Sequence, residues 1–208
     1  MDSVRVNKSN PFDFFDEIFC ISAKTRPKKK QKAARQFKAL GIDARVEFVD
    51  AIMMEPYWRG CTESHRACIK KARDRGASNV LIFEEDVFFL HNDLNALERA
   101  LNSLSDLNWQ VFLLGGTVQK VHHHIDDYLC LIKGHLTHAH AMHKSCWDAV
   151  LNYEPTDECV DGKYGVWNKS NIDLFMGDKY DKYMIKTIIA VQPDKAHVTL
   201  TEYYNKIT

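Results

Sequence analysis

The residues most able to do chemistry lie in one short run, where the apolar Val80-Leu81-Ile82-Phe83 leads directly into Glu84-Glu85-Asp86. An apolar strand ending in three adjacent carboxylates is unusual. If the run stays extended, side chains alternate, so Glu84 and Asp86 point to one side and Glu85 to the other. Two like charges converging at a strand end repel, and a divalent cation would relieve them. Oxygen donors of this kind favour Mg²⁺ or Mn²⁺ over zinc or copper. The plainer alternative is a solvated acidic turn, and composition alone does not choose between the two.

Histidine offers a rival chemistry. His122-His123-His124 stands beside Asp126-Asp127 and reads as an exposed loop. His138 and His140 fall in an apolar run; in a strand they share a face and are candidates to line an acceptor or phosphate site. With His143 they are also candidates for a transition metal. The six cysteines, Cys20, Cys61, Cys68, Cys130, Cys146 and Cys159, include no CxxC pair. Several have apolar neighbours, so they read as reduced, mostly buried thiols of a reducing compartment.

The elements that must position these groups alternate. Residues 16–22 read as a strand, followed by a basic turn containing Arg26 and then a helix with Ala33, Ala34, Phe37 and Leu40 on one face, ended by Gly41. Residues 45–49 read as a second strand. A second helix is expected from Gly60-Cys61-Thr62 to Arg75, with Thr62 as its N-cap and Gly76 as its stop. Strand 79–83, helix 93–105 and strand 110–114 follow. Beyond Gly116 the alternation weakens: strands are expected at 128–132, 138–142 and 186–191, a helix at 144–152 and a loop at 155–170. This order implies a single α/β domain over 1–208, with a loose start over 1–14. Its sheet is expected to be largely parallel in the first half and covered on both faces. Ligands then bind at the carboxyl ends of the strands.

Composition narrows the classes. With 208 residues, 28 Lys+Arg against 28 Asp+Glu and 45% hydrophobic residues, the chain is an ordinary globular protein. The absence of a basic excess demotes nucleic-acid binding. No run is long enough for a membrane span and no apolar leader is visible, so a cytoplasmic location is expected.

Taken together, Gly60-Cys61-Thr62-Glu63-Ser64-His65, Ala72-Arg73-Asp74-Arg75-Gly76 and Val80-Leu81-Ile82-Phe83-Glu84-Glu85-Asp86-Val87 resemble glycosyltransferase family 25, the lipooligosaccharide and procollagen galactosyltransferase family. Ile18 to Ser22 with Arg26, and Phe48 to Ala51, look like its first two strand ends. Glu85 stands where the family usually has Asp, and Ser22-Ala23-Lys24 where it tends to have Asn-Leu and an acid. The resemblance implies a GT-A type fold, Rossmann-like, with a mixed sheet. It implies metal-dependent transfer of a hexose from a nucleotide-diphosphate sugar, UDP-galactose or UDP-glucose, to a glycan or glycoprotein hydroxyl, with inversion. The implied metal is Mn²⁺ or Mg²⁺, held by Glu84 and Asp86 with His197 completing the shell. Donor contacts are expected from Ser22, Ala23, Arg26, Asp50, Ser64, His65 and Glu84. Asp173 is the candidate base. Each has a bland counterpart: Arg26 a solvated turn, Asp50 a turn after a strand, His65 a buried hydrogen-bonded histidine. Tyr57, Trp58 and Trp167 read as packing residues, with stacking on sugar or base as the alternative. The other function class is a non-catalytic nucleotide-sugar- or glycan-binding module on the same fold.

Overall fold

The computed structural model describes residues 10–90, 94–135, 137–162 and 165–192, with the backbone alone for 160–162 and 165–167. The chain opens with a short 3-10 helix, Pro11–Phe14, then β1 (Glu17–Ser22), α1 (Pro27–Ala39), β2 (Val46–Asp50), α2 (Tyr57–Asp74), β3 (Asn79–Glu84), β4 (Phe88–Phe89) and α3 (Leu94–Ser105). It continues through β5 (Val111–Leu113), β6 (Thr117–His124), β7 (Leu129–His135), β8 (Ala139–His143) and α4 (Trp147–Asn152). The hairpin β9 (Cys159–Gly162) and β10 (Gly165–Asn168), α5 (Ile172–Lys179), β11 (Lys182–Ile185) and β12 (Ala190–Val191) complete it.

Among the described residues, one eight-stranded sheet runs in the order β2-β1-β3-β8-β5-β11-β7-β6. β2, β1 and β3 are mutually parallel, as the alternating sequence requires. β8 then enters between β3 and β5, antiparallel to both. Parallel pairing resumes beyond it between β5 and β11, and the sheet as a whole is mixed. A βαβ crossover enforces parallel pairing only between the strands it joins; β8 arrives after the β6–β7 hairpin and pairs the other way.

Alternation along the central strands divides the core. Ile18 and Cys20 of β1 and Leu81 and Phe83 of β3 face α1 and α3, packing with Phe37, Leu97 and Leu101. Phe19, Ile21, Val80 and Ile82 face α2, α4 and α5, packing with Cys68, Ile69, Trp147 and Met176. Both faces are thus covered, which fits near-continuous apolar runs in β1 and β3. Phe12 and Phe15 are fully buried in the first of these layers, so residues 10–14 are packed rather than loose.

Several elements differ from expectation. α2 starts at Tyr57 behind Pro56, a full turn before Thr62. Thr62 is instead buried mid-helix, where its Oγ1 accepts from the Ile172 amide at 3.2 Å and ties α2 to α5. Gly76 does stop this helix, with φ +77° just past the C-cap Arg75. The stretch 155–170 holds the β9–β10 hairpin. His122 to His124 are exposed, but they end the edge strand β6 rather than a loop. The expected strand 186–191 resolves into β11 before it and the short β12. No helix among the described residues is long and apolar enough to cross a membrane.

Phe37 knits the first layer together, with ring centroids 5.2 Å from Phe83, 6.0 Å from Phe48 and 6.1 Å from Phe89. Phe37→Ala is expected to lower the unfolding free energy by about 3–5 kcal/mol, as large-to-small changes at buried aromatics do; urea denaturation measures it.

Candidate functional site

A cleft of about 390 Å³ opens at the carboxyl ends of the parallel strands. Its walls are Ile21 and Ala23 at the end of β1 and just beyond, Ala51 to Met54 after β2, and Glu84 to Asp86 at the end of β3. α2 closes one side with Tyr57, Cys61, Ser64 and His65. Gly60 allows the approach of α2 to the β2 exit: a Cβ there would sit 2.4 Å from the Ile52 carbonyl oxygen. Ser64 reinforces it, accepting from the Ile52 amide at 2.8 Å and donating to the Gly60 carbonyl at 2.7 Å.

All three carboxylates line this cleft, but not by strand alternation. The strand ends at Glu84, and the Val87 amide returns to the Glu84 carbonyl at 2.9 Å, so 85 and 86 form a turn. Glu84 keeps the parity of Val80 and Ile82 and faces α2. Thr137 Oγ1 donates to its Oε1 at 2.9 Å, and His65 Nε2 lies 3.4 Å from the same oxygen. Burial pushes this carboxyl up, but the His65 and Thr137 contacts outweigh it and hold the pKa at about 2. Glu85 turns back over β1 and is nearly buried. Its Oε2 accepts from Ser22 Oγ and from the Ala23 amide, both at 2.9 Å, and Arg26 stands 3.6 Å from Oε1. Asp86 leans toward α1, with Lys29 at 3.4 Å on one oxygen and Gln192 Nε2 at 3.4 Å on the other.

Behind Glu84 the floor is made of imidazoles. His138 and His140 are wholly buried, so they back the cleft rather than line it. His140 Nδ1 pairs with the Thr137 carbonyl at 2.8 Å, and His138 Nε2 with the Ala190 carbonyl at 3.1 Å. The His140 ring lies 5.2 Å from that of His65. Burial lowers the pKa of both His138 and His140, the latter to about 3. Among the described residues, the metal-capable donors that gather within 4.8 Å of one another are those of Cys61, His65 and Glu84. Cys61 was not singled out from sequence, although its i, i+4 spacing to His65 on one helix was a visible signal.

The other expected site residues are spread more widely. Arg26 and Ala23 line the cleft, whereas Ser22 stands behind it, bonded to the lining residues Glu85 and Ala51. Asp50 is exposed and pairs with Lys24 at 3.0 Å, outside the lining. Ser64 and His65 belong to the second and third turns of α2, so the helix N-terminus is not at their side chains. Asp173 sits in the first turn of α5, 3.9 Å from His135 Nδ1, and is not a lining residue. His197 and the Trp167 side chain lie outside the described residues. Tyr57, with Met53 and Met54, presents an exposed apolar rim. All six cysteines are free, with Cys61 partly exposed and Cys159 exposed.

No family model matches the chain. It is similar to curated proteins of glycosyltransferase family 25. It is 29% identical over 129 residues to the human inactive glycosyltransferase 25 family member 3, covering 49% of this chain and 22% of that one. It is 26% identical over 129 residues to human procollagen galactosyltransferase 2, covering 49% and 21%. The matched part thus spans about a fifth of these relatives. Among solved structures, apo UDP-glucose pyrophosphorylase aligns over 91% of this chain and 79% of its own, with a TM-score of 0.47 and 9% identity. The protein A197 from STIV aligns over 81% of each chain, with a TM-score of 0.44 and 9% identity.

The buried histidines carry a pH signature. A group whose folded pKa is depressed contributes stability above its unfolded value and loses it as pH falls toward the folded value. For His140 that window runs from about 6.5 down to about 3. His140→Gln is expected to flatten unfolding free energy against pH in this window, by up to ~1.4 kcal/mol per pH unit, in urea titrations at successive pH values.

Proposed function

We propose that the chain is a glycosyltransferase that moves a hexose from a nucleotide-diphosphate sugar, UDP-galactose or UDP-glucose, to a hydroxyl of a glycan or glycoprotein. The observation that carries this reading is the acidic cleft at the carboxyl ends of β1, β2 and β3, where a sheet of this kind receives a nucleotide. The similarity to glycosyltransferase family 25 proteins supports it.

In this reading the donor lies over Ala23, with Arg26 and Lys29 as the cations nearest its phosphates and Tyr57 at the rim beside its base. During transfer the anomeric C–O bond to the diphosphate breaks and a bond to the acceptor oxygen forms. Negative charge grows on the departing diphosphate, and guanidinium and ammonium groups placed there lower the barrier. The acceptor hydroxyl loses its proton to a base, for which Asp173 on α5 is the candidate in an inverting reaction. The donor set also suits a hard divalent cation, because Asp86 is a partly exposed carboxylate on the cleft with Glu84 two residues before it. Sites for Mn²⁺ or Mg²⁺ commonly use one or two carboxylates and take phosphate oxygens and water for the rest. Such an ion would supply Lewis-acid neutralisation of the leaving group.

A second reading is favoured by a specific observation: each acid is already engaged by this chain's own donors or cations, Glu85 most fully. A module that binds nucleotide sugars without turnover would tolerate that arrangement.

One screen separates the two. With UDP-galactose or UDP-glucose at about 100 times Kd and Mn²⁺ present, binding is expected to stabilise the protein by ~2.7 kcal/mol, or about 5–10 °C in melting temperature for a domain of this size. Asp86→Ala is expected to abolish the Mn²⁺-dependent part. UDP release with an acceptor supports the transferase; stabilisation without release supports the binding module; no stabilisation by any nucleotide sugar rejects both.

A further inference from the structure

α2 brings Cys61 and His65 to the cleft one helical turn apart, and β3 brings Glu84 to meet them. One sulfur, one ring nitrogen and one carboxylate oxygen thereby come within 4.8 Å of one another. His65 is only 1% exposed, yet neither of its ring nitrogens makes a well-formed hydrogen bond; Nε2 stands 3.4 Å from a Glu84 oxygen and Nδ1 has no partner. Buried polar groups are almost always paired, so a buried imidazole whose one polar approach is a long contact to a carboxylate needs an explanation. The cleft around them is anionic, with Glu84, Glu85 and Asp86 all in its lining. The facing ring is His140, held neutral by burial.

We propose that Cys61, His65 and Glu84 bind a thiophilic divalent cation of the zinc class at the floor of the cleft. A sulfur, nitrogen and oxygen donor set is what Zn²⁺ accepts, whereas Mg²⁺ and Mn²⁺ take oxygen. Three protein ligands leave a fourth position, and because all three residues line the cleft that position faces the cavity, where water or a ligand oxygen enters. Binding displaces the Cys61 thiol proton to solvent and takes one ring nitrogen of His65. The site shares Glu84 with the oxygen site at Asp86 but adds sulfur and nitrogen donors, and the inference does not rest on the transfer reaction.

The test is a Co²⁺ titration of the full chain after removal of metals by chelation, followed by absorption spectroscopy. One equivalent is expected to produce a thiolate-to-cobalt charge-transfer band with the visible bands of a four-coordinate ion, and one equivalent of Zn²⁺ to abolish both. Cys61→Ser removes the charge-transfer band while Cys159→Ser keeps it. His65→Gln weakens Co²⁺ binding by more than the roughly 10–100-fold that loss of an outer-shell partner costs. Should Cys61→Ser fail to fold, wild-type protein decides the matter: Zn²⁺ is expected to protect Cys61, and not Cys159, from alkylation mapped by mass spectrometry. No charge-transfer band at saturating Co²⁺, a band that survives Cys61→Ser, or equal alkylation with and without Zn²⁺ overturns the proposal.

Discussion

Three consecutive carboxylates cannot share one strand end unless each is answered by a different part of the chain. Like charges a few ångströms apart in a half-dry cleft repel by amounts comparable to the whole stability of a domain. Here the answer is distributed. Glu84 is met by Thr137 and by His65 of α2, Glu85 by Ser22, Ala23 and Arg26 after β1, and Asp86 by Lys29 of α1 and Gln192 after β12. The acidic turn is therefore where both helical layers, the first strand's exit and the late chain converge. Even the small β4–β12 pairing serves it, since Val191 opposite Phe88 carries Gln192 to Asp86.

The insertion of β8 beside β3 determines what lies under that turn. In register, Ala139 faces Phe83 and His140 faces Ile82. The small side chains of Ala139 and Ala141 leave room for the aromatic layer on the α1 side, and the His140 imidazole falls on the α2 side, against His65. A floor of histidines held neutral by burial offers polarity without adding charge to an already acidic site. One ring nitrogen of each is bonded to a main-chain carbonyl, His140 Nδ1 at Thr137 and His138 Nε2 at Ala190, which fixes the loop carrying Thr137.

Much of this was legible. Periodicity located β1, α1, β2, β3 and α3, because each has one dominant pattern, and the rule that ligands meet the carboxyl ends of parallel strands located the cleft. The direction of Glu85 was not legible, because alternation holds only while the chain stays extended, and it turns at Glu85. The start of α2 was misplaced because Gly60 resembles a helix boundary. Its real constraint is the nearby Ile52 carbonyl, which no local pattern reports. The antiparallel entry of β8 depends on how the β6–β7 hairpin returns the chain, a long-range matter. Residues 10–15 begin polar, yet Phe12 and Phe15 are buried in the core with Phe14 packed against it, and so short a run reveals no period.

Glu84 is the side chain on which the two proposed chemistries of the cleft meet. Strand parity turns it toward α2, where sulfur and nitrogen wait, while its neighbour Asp86 looks toward α1 and the cationic side of the cleft. A carboxylate drawn into a sulfur- and nitrogen-rich site has less electron density and less freedom to offer an oxygen site two residues away. Occupancy of one site therefore works against the other by competition for a single ligand, and by the repulsion between two dications that share it. The asymmetry is set by the fold: α2 holds Cys61 and His65 rigidly, one turn apart, whereas Asp86 rides on a turn. On this argument the softer site is the preorganised one, and the harder site is completed only when a phosphate-bearing ligand brings its own oxygens.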